Sequence, residues 1–255
     1  MTIVAETDAD TGDAEDIGNA KHMAPLISVV GSDGAGKTTV SSEVLDFVRR
    51  YGPAETAHLG LKSGDLGRAI KEFPLGGSFA ERYISAKASQ ARNRKGRIPG
   101  LFTAVVIYVF SVFRLKRFNR MLDKRRHGVI IVTDRYPQVE VPGFYDGPGL
   151  SAAKAEGRII SWLARQEYKK YLWMASHQPD LVIRLNVDLD TAFARKPDHE
   201  IDMLRQKIEA TPKLNFGGAL IHDIDSNLPL DAVVASARKA IAARMKQLGR
   251  QPLPV

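Results

Sequence analysis

Cysteine is absent from the sequence. That excludes disulfides, zinc–thiolate centres and thiol catalysis, and it suits a reducing compartment, so a cytoplasmic location is expected. Long hydrophobic runs are also lacking. No apolar stretch reaches the length of a transmembrane helix. Residues 101–113 come nearest, a 13-residue run in which only Thr103 and Ser111 are polar. As a helix this run would be about 20 Å long, short of the roughly 30 Å hydrocarbon core, so it reads as a buried helix. The acidic start, residues 1–10, has none of the basic-then-apolar layout of a signal peptide. No internal repeat is found.

The 255-residue chain is long enough to bury a sizeable core. Its net charge of +8 is unevenly spread. Residues 1–24 hold six acids and one base and almost no large apolar side chain, which predicts a disordered tail ahead of a domain over 25–250. The tail's net −5 leaves +13 on the remaining chain. Anionic small substrates account for a basic body of this kind, and no nucleic-acid partner is expected.

One stretch organises the rest. Residues 26–30 form an apolar strand, 31–36 a glycine-rich turn, and a helix opens at Lys37. Gly31, Gly36, Lys37 and Thr38 satisfy the phosphate-loop pattern G-x-x-x-x-G-K-[ST]. Backbone N–H groups must curl around phosphate oxygens, and side chains would block that approach. The whole turn from Gly31 through Ser32, Asp33, Gly34, Ala35 and Gly36 to Lys37, Thr38 and Thr39 is therefore the expected nucleotide-phosphate cradle. The helix behind it directs its free N–H groups and positive dipole end at the same anion. Lys37 supplies a cation for the outer phosphates, and the Thr38 hydroxyl a ligand for Mg²⁺.

A second element fits the first. Residues 129–133 form a continuous apolar strand ending in Asp134-Arg135-Tyr136. In open α/β folds the carboxyl ends of the strands face the ligand crevice, which predicts Asp134 opposite Thr38, holding Mg²⁺. Arg135 could offer its planar fork to a transferring or accepting phosphate. Further strands are expected over 54–59, 181–186 and 219–224, and helices over 101–126, most of 151–176, 189–194, 201–209 and 230–248. Strands alternating with helices predict an α/β phosphate-loop NTPase fold, a parallel five-stranded sheet with helices on both faces. No N-K-x-D guanine motif and no L-S-G-G-Q-like transporter signature is present, and the size argues for a small-molecule kinase.

Several segments, in order, resemble the thymidylate kinase family. They are the loop Gly31-Ser-Asp-Gly-Ala-Gly-Lys-Thr-Thr39 with its internal acid, Leu66-Gly-Arg-Ala-Ile-Lys-Glu72, the strand ending in Asp134-Arg-Tyr136, and Pro179-Asp-Leu-Val-Ile-Arg-Leu185. The likeness covers everything past the tail. It implies ATP and Mg²⁺ as cofactors, with Lys37, Asp134, Arg135 and Arg195 at the reacting phosphates. It implies a short lid over about 195–200, where Arg195 and Lys196 close over the transferring phosphoryl group. Asp33 would sit near the acceptor's sugar hydroxyl, although an Asp at this point of a turn also bonds its own backbone. Arg68 and Arg114 would face the acceptor, Arg114 being equally readable as part of the helix's basic face. A homodimer is compatible with the likeness.

The acceptor side departs from the family. Where an R-E-P motif is expected, the chain reads Leu59-Gly-Leu-Lys-Ser-Gly-Asp65, with only Lys62 to replace the arginine's charge. After Tyr136 comes a Pro- and Gly-rich stretch, 137–149, in place of the family's base-contacting segment. Three functions follow as expectations. The first is phosphorylation of dTMP to dTDP. The second is a kinase of the same fold acting on another small acceptor, such as a sugar or glycan precursor. The third is a nucleotide-dependent module docking to a membrane surface through the apolar-then-basic segment 101–127.

Overall fold

The computed structural model describes residues 23–60, 100–143, 146–152 and 157–254. Its elements are β1 (Leu26–Gly31), α1 (Lys37–Val48), β2 (Ala54–Thr56), α2 (Gly100–Arg126), β3 (Ile130–Thr133), α3 (Arg158–Ser176), β4 (Leu181–Asn186), α4 (Leu189–Arg195), α5 (Ile201–Ala210), β5 (Ile221–Asp225) and α6 (Leu230–Gln247). The five strands form one sheet in the order β2-β3-β1-β4-β5, and every pairing is parallel. This is the expected α/β phosphate-loop architecture.

The three central strands, β1, β3 and β4, are buried on both faces, which is why they read as mostly apolar runs, whereas the outer strands β2 and β5 are largely open to solvent. Alternate residues serve opposite layers. Ile27 and Val29 of β1, with Ile183 and Leu185 of β4, pack with Val40 and Val44 of α1 and Ile241 of α6. Leu26, Val30 and Val182 face the other way, onto Phe118 and Met121 of α2 and Met174 of α3.

Residues 101–126 belong to one 27-residue helix. Its C-terminal half enters the core through Phe118, Met121 and Leu122, and its N-terminal half packs Ala104 against Leu150 and Leu163. Among the described residues no helix is long and apolar enough to cross a membrane.

Several boundaries differ from expectation. Strand β2 is three residues long, because from Ala57 the chain turns to carry His58 toward the end of β3. Of the mostly helical stretch expected over 151–176, α3 takes residues 158–176, and Leu150–Ala152 is a short turn. Ala24, placed in the tail by composition, is fully buried, and its N–H donates to the Arg125 carbonyl at 3.0 Å.

Asp180 and Tyr136 anchor the base of this frame. Asp180 accepts from the Leu26 N–H at 2.7 Å and from Arg125 at 2.9 Å, which pins the start of β1 beside β4. Tyr136 is buried, its ring edge-on to Phe118 at 5.8 Å and its hydroxyl donating to the His177 carbonyl. The tyrosine of the Asp-Arg-Tyr sequence thus holds the core while its two neighbours face the crevice.

Candidate active site

The crevice forms where β1 leaves the sheet between β3 and β4, and connections diverge to either side. The loop from Ser32 to Gly36 crosses this point into α1. Gly34 and Gly36 both have φ near 82°, a region closed to most side chains. A Cβ on Gly34 would also lie 2.6 Å from the Ala192 carbonyl oxygen, because α4 packs directly on the loop. Gly36 is different. It is the residue preceding α1, and nothing would meet a Cβ there within 4 Å. The first turn of α1 carries no acidic residue and no side-chain cap, so no capping side chain takes up its N–H groups. Thr38 and Thr39 are exposed there.

Lys37 folds back over the loop. Its Nζ donates to the Ser32 carbonyl at 2.7 Å and lies 3.8 Å from Asp33 Oδ1. Burial pushes the Lys37 pKa below its ordinary 10.5, although Asp33 opposes this. The Asp33 carboxylate is held by basic side chains from the far side of the chain. Lys207 of α5 donates to it, and His199, in the turn before α5, lies 3.8 Å away. Burial alone would raise the Asp33 pKa, but the Lys207 hydrogen bond and the charges of Lys207, Lys37 and His199 hold it below 3.8. Asp33 was expected near the acceptor hydroxyl or bonding its own turn. Instead it latches the 196–200 turn and α5 onto the loop.

Arg195 ends α4. Its Nη1 donates to the Gly34 carbonyl at 3.2 Å and to the Ser226 carbonyl at 3.0 Å. It thereby closes one wall of a pocket of about 270 Å³ beside the loop, lined also by Gly36, Thr39, Val40, Leu228 and Val233. Lys196, one residue on, is exposed. The pair sits on the β4–β5 flank of the loop.

Asp134 and Arg135 occupy the opposite flank, at the end of β3. The Thr133 hydroxyl accepts from the Arg135 N–H at 3.4 Å and donates to the Arg135 carbonyl at 2.7 Å, fixing the turn. Asp134 engages His58 Nδ1 through both oxygens, at 2.9 and 3.2 Å. Burial raises the Asp134 pKa, and the His58 hydrogen bond and Arg135 charge more than offset it, leaving it below 3.8. Arg135 lies along the backbone of Gly60, where a Cβ would collide with its side chain. Its Nη1 is 3.5 Å from Asp146 Oδ1.

Arg114, expected to face an acceptor phosphate, is committed to Asp146. Its Nη1 donates to the Asp146 carbonyl and its Nη2 to Oδ1, both at 2.7 Å. Both side chains are below 10% exposed. The guanidinium also stands 5.7 Å from the Tyr171 ring centre, and burial pushes that phenol up to about 12. Beneath them Glu167 is fully buried and accepts from Ser111 Oγ at 2.7 Å, the Gly149 N–H at 3.1 Å and the Leu150 N–H at 2.7 Å. Burial raises its pKa against those bonds.

Lys62 and Arg68 lie outside the described residues. Sequence reasoning missed His58, Asp146, Glu167 and Lys207. Only a three-dimensional arrangement singles them out, since each meets a partner distant in the chain.

No family model matches the chain. It is 42% identical over 221 residues to the uncharacterized ATP-binding protein YghS of Escherichia coli (strain K12), covering 86% of this chain and 93% of that protein. The chain belongs to this family. YghR of the same organism, also an uncharacterized ATP-binding protein, is 40% identical over 222 residues, 87% of this chain and 88% of its own. A more distant relative is the probable thymidylate kinase of Pyrobaculum aerophilum, 26% identical over 171 residues, with 67% of this chain and 68% of that protein covered. The YghS–YghR family is thus a kinase-like phosphate-loop family, and these relatives do not single out thymidylate kinase within it.

Proposed function

We propose that this member of the YghS–YghR family is an ATP-dependent kinase of a small molecule. The arrangement of three features around the loop carries this reading. An apolar-walled pocket of purine scale lies on one flank, the Lys37 cradle is in the middle, and the Asp134–Arg135 pair is on the other flank. A nucleotide whose base enters beside Val40, Leu228 and Val233 runs its phosphates across Gly36 and along α1, and its terminal phosphoryl group points toward Asp134 and Arg135. The likeness to the ATP-binding proteins YghS and YghR supports the ATP half, and the thymidylate kinase likeness supports phosphoryl transfer.

The residues fit Mg²⁺. The Thr38 hydroxyl and the Asp134 carboxylate are hard oxygen donors of the kind that ion takes. Among the described residues no group of three or more His, Cys, Asp or Glu could hold a metal alone, so nucleotide phosphates and water would complete the shell. When bound, the ion neutralises developing charge on the transferring oxygens.

The protein's own work is positioning. Lys37 exchanges the Ser32 carbonyl for a phosphate oxygen, the α1 amides hold the neighbouring oxygens, and Arg195 braces the loop against the β5–α6 turn. Arg135 offers its fork to the phosphoryl group, and the 196–200 turn, latched through His199 and Lys207, excludes water. Phosphorylation of dTMP to dTDP is the acceptor reaction that the distant relatives suggest. A different acceptor in the same fold is the second reading, and the commitment of Arg114 to Asp146 favours it.

Calorimetric titration with Mg-ATP tests the donor half. The wild-type protein is expected to bind it, and Lys37→Ala to weaken binding at least tenfold. Equal affinities for the two proteins would remove the loop from nucleotide binding and refute the reading.

A further inference from the structure

Two arginines from separate elements converge on a single oxygen. Arg114, from the middle of α2, places Nη2 2.7 Å from Asp146 Oδ1, and Arg135, from the end of β3, places Nη1 3.5 Å from the same atom. A paired guanidinium arrangement at the mouth of a phosphate-handling crevice suits a phosphate monoester. In this protein a carboxylate of the chain itself fills the position.

We propose that Asp146 is a specificity-determining residue that closes the acceptor side to phosphate monoesters, so that the acceptor presents a neutral hydroxyl. The inference rests on the kinase reading above and names its substrate class. The reaction balances as follows. The acceptor's hydroxyl oxygen forms a bond to the γ-phosphorus of ATP, the bond from that phosphorus to the β–γ bridging oxygen breaks, ADP departs with the electron pair, and the hydroxyl proton passes to water.

Three observations make Asp146 a fixed wall. Arg114 grips it twice, through carbonyl and carboxylate, and both side chains are almost wholly buried. The chain just beyond it is tied down by Glu167, which takes the Gly149 and Leu150 N–H groups and is itself bonded to Ser111 of α2. Asp146 also holds φ of 65°, a conformation an Asp or Asn tolerates where most residues do not. A phosphate dianion arriving between the arginines would have to break a buried ion pair and then face the displaced carboxylate. Removing its own charge compensation from Arg114 is the cost of entry. A neutral hydroxyl meets neither obstacle, and Arg135, 43% exposed, keeps an open side for the transferring phosphoryl group.

The test uses the full-length protein and compares dTMP with thymidine, ligands that differ only by the phosphate. On the wild type, calorimetry is expected to give dTMP no advantage over thymidine. In Asp146→Asn, which keeps the shape and tolerates the same φ, the dTMP-to-thymidine affinity ratio is expected to rise at least tenfold. With γ-labelled Mg-ATP, label is expected on hydroxyl acceptors drawn from sugars and nucleosides, and not on dTMP. A wild-type preference for dTMP of tenfold or more overturns the proposal without any variant, as does an unchanged ratio in Asp146→Asn. The binding comparison needs no ATP, so its outcome stands apart from the kinase reading, which fails on its own if neither Mg-ATP binding nor transfer occurs.

Discussion

Arg195 donates to the carbonyl oxygen of Gly34 at 3.2 Å, joining residues 161 positions apart. The same guanidinium holds Ser226, so one side chain links the phosphate loop, the end of α4 and the β5–α6 turn. Arg195→Ala removes a wall of the pocket and both braces together. Its expected effect is a rise of about tenfold in the Mg-ATP dissociation constant, the equivalent of about 1.4 kcal/mol. Calorimetry checks this, and an unchanged constant would place the nucleotide elsewhere.

Lys37 makes its described bond to a carbonyl of its own loop, so little of the fold depends on it. Lys37→Ala is expected to lower the rate of phosphoryl transfer by about 10²–10³-fold, the scale of losing one preorganised donor to a developing charge. The melting temperature should stay within a few degrees of wild type. A large fall in melting temperature would make Lys37 a structural residue.

Gly34 and Gly36 share a left-handed backbone but not its surroundings. Alanine at Gly36 meets open space and pays only the conformational cost, about 1–2 kcal/mol. Alanine at Gly34 must also displace the backbone of α4, adding about 1–3 kcal/mol of overpacking. Denaturant titration should therefore rank Gly34→Ala below Gly36→Ala in stability. The order in nucleotide binding should reverse once stability is corrected for, since Gly36 borders the pocket. Equal stabilities would contradict the packing of α4 on the loop.

The Asp33–Lys207 latch predicts a pH dependence. Asp33 has a folded pKa below its ordinary 3.8, so its contribution to stability is complete above that value and is lost as pH falls through the folded pKa. Lys207→Met removes the largest of the contributions that lower the pKa. Unfolding free energies below about pH 4 should then fall less steeply with acid for the variant than for wild type. Parallel curves would assign the acid loss to other groups, such as Asp134.

The framework was readable because its causes are local. Apolar runs at 26–30, 129–133 and 181–186 became β1, β3 and β4, since strands buried on both faces need nothing but apolar residues. The loop was readable because glycine spacing and Lys37 are required together by one ligand. The contacts that shape the site were not readable, because each joins distant positions. Lys207 meets Asp33 across 174 residues, His58 meets Asp134 across 76, and Arg114 meets Asp146 across 32. In the sequence these are an exposed lysine on an amphipathic helix, a histidine after a strand and an aspartate in an Asp-Gly-Pro-Gly turn. Arg114 shows the limit clearly. Its position on the helix suggested a free cation for the acceptor, and only the fold shows that a carboxylate already holds it.

Transfer of label from γ-labelled Mg-ATP to a panel of nucleoside, nucleotide and sugar acceptors, run beside Lys37→Ala, tests the central claim most directly. The account predicts a labelled small-molecule product formed by the wild type and reduced at least a hundredfold in the variant. ATP bound without label reaching any acceptor, or equal transfer by both proteins, would contradict it.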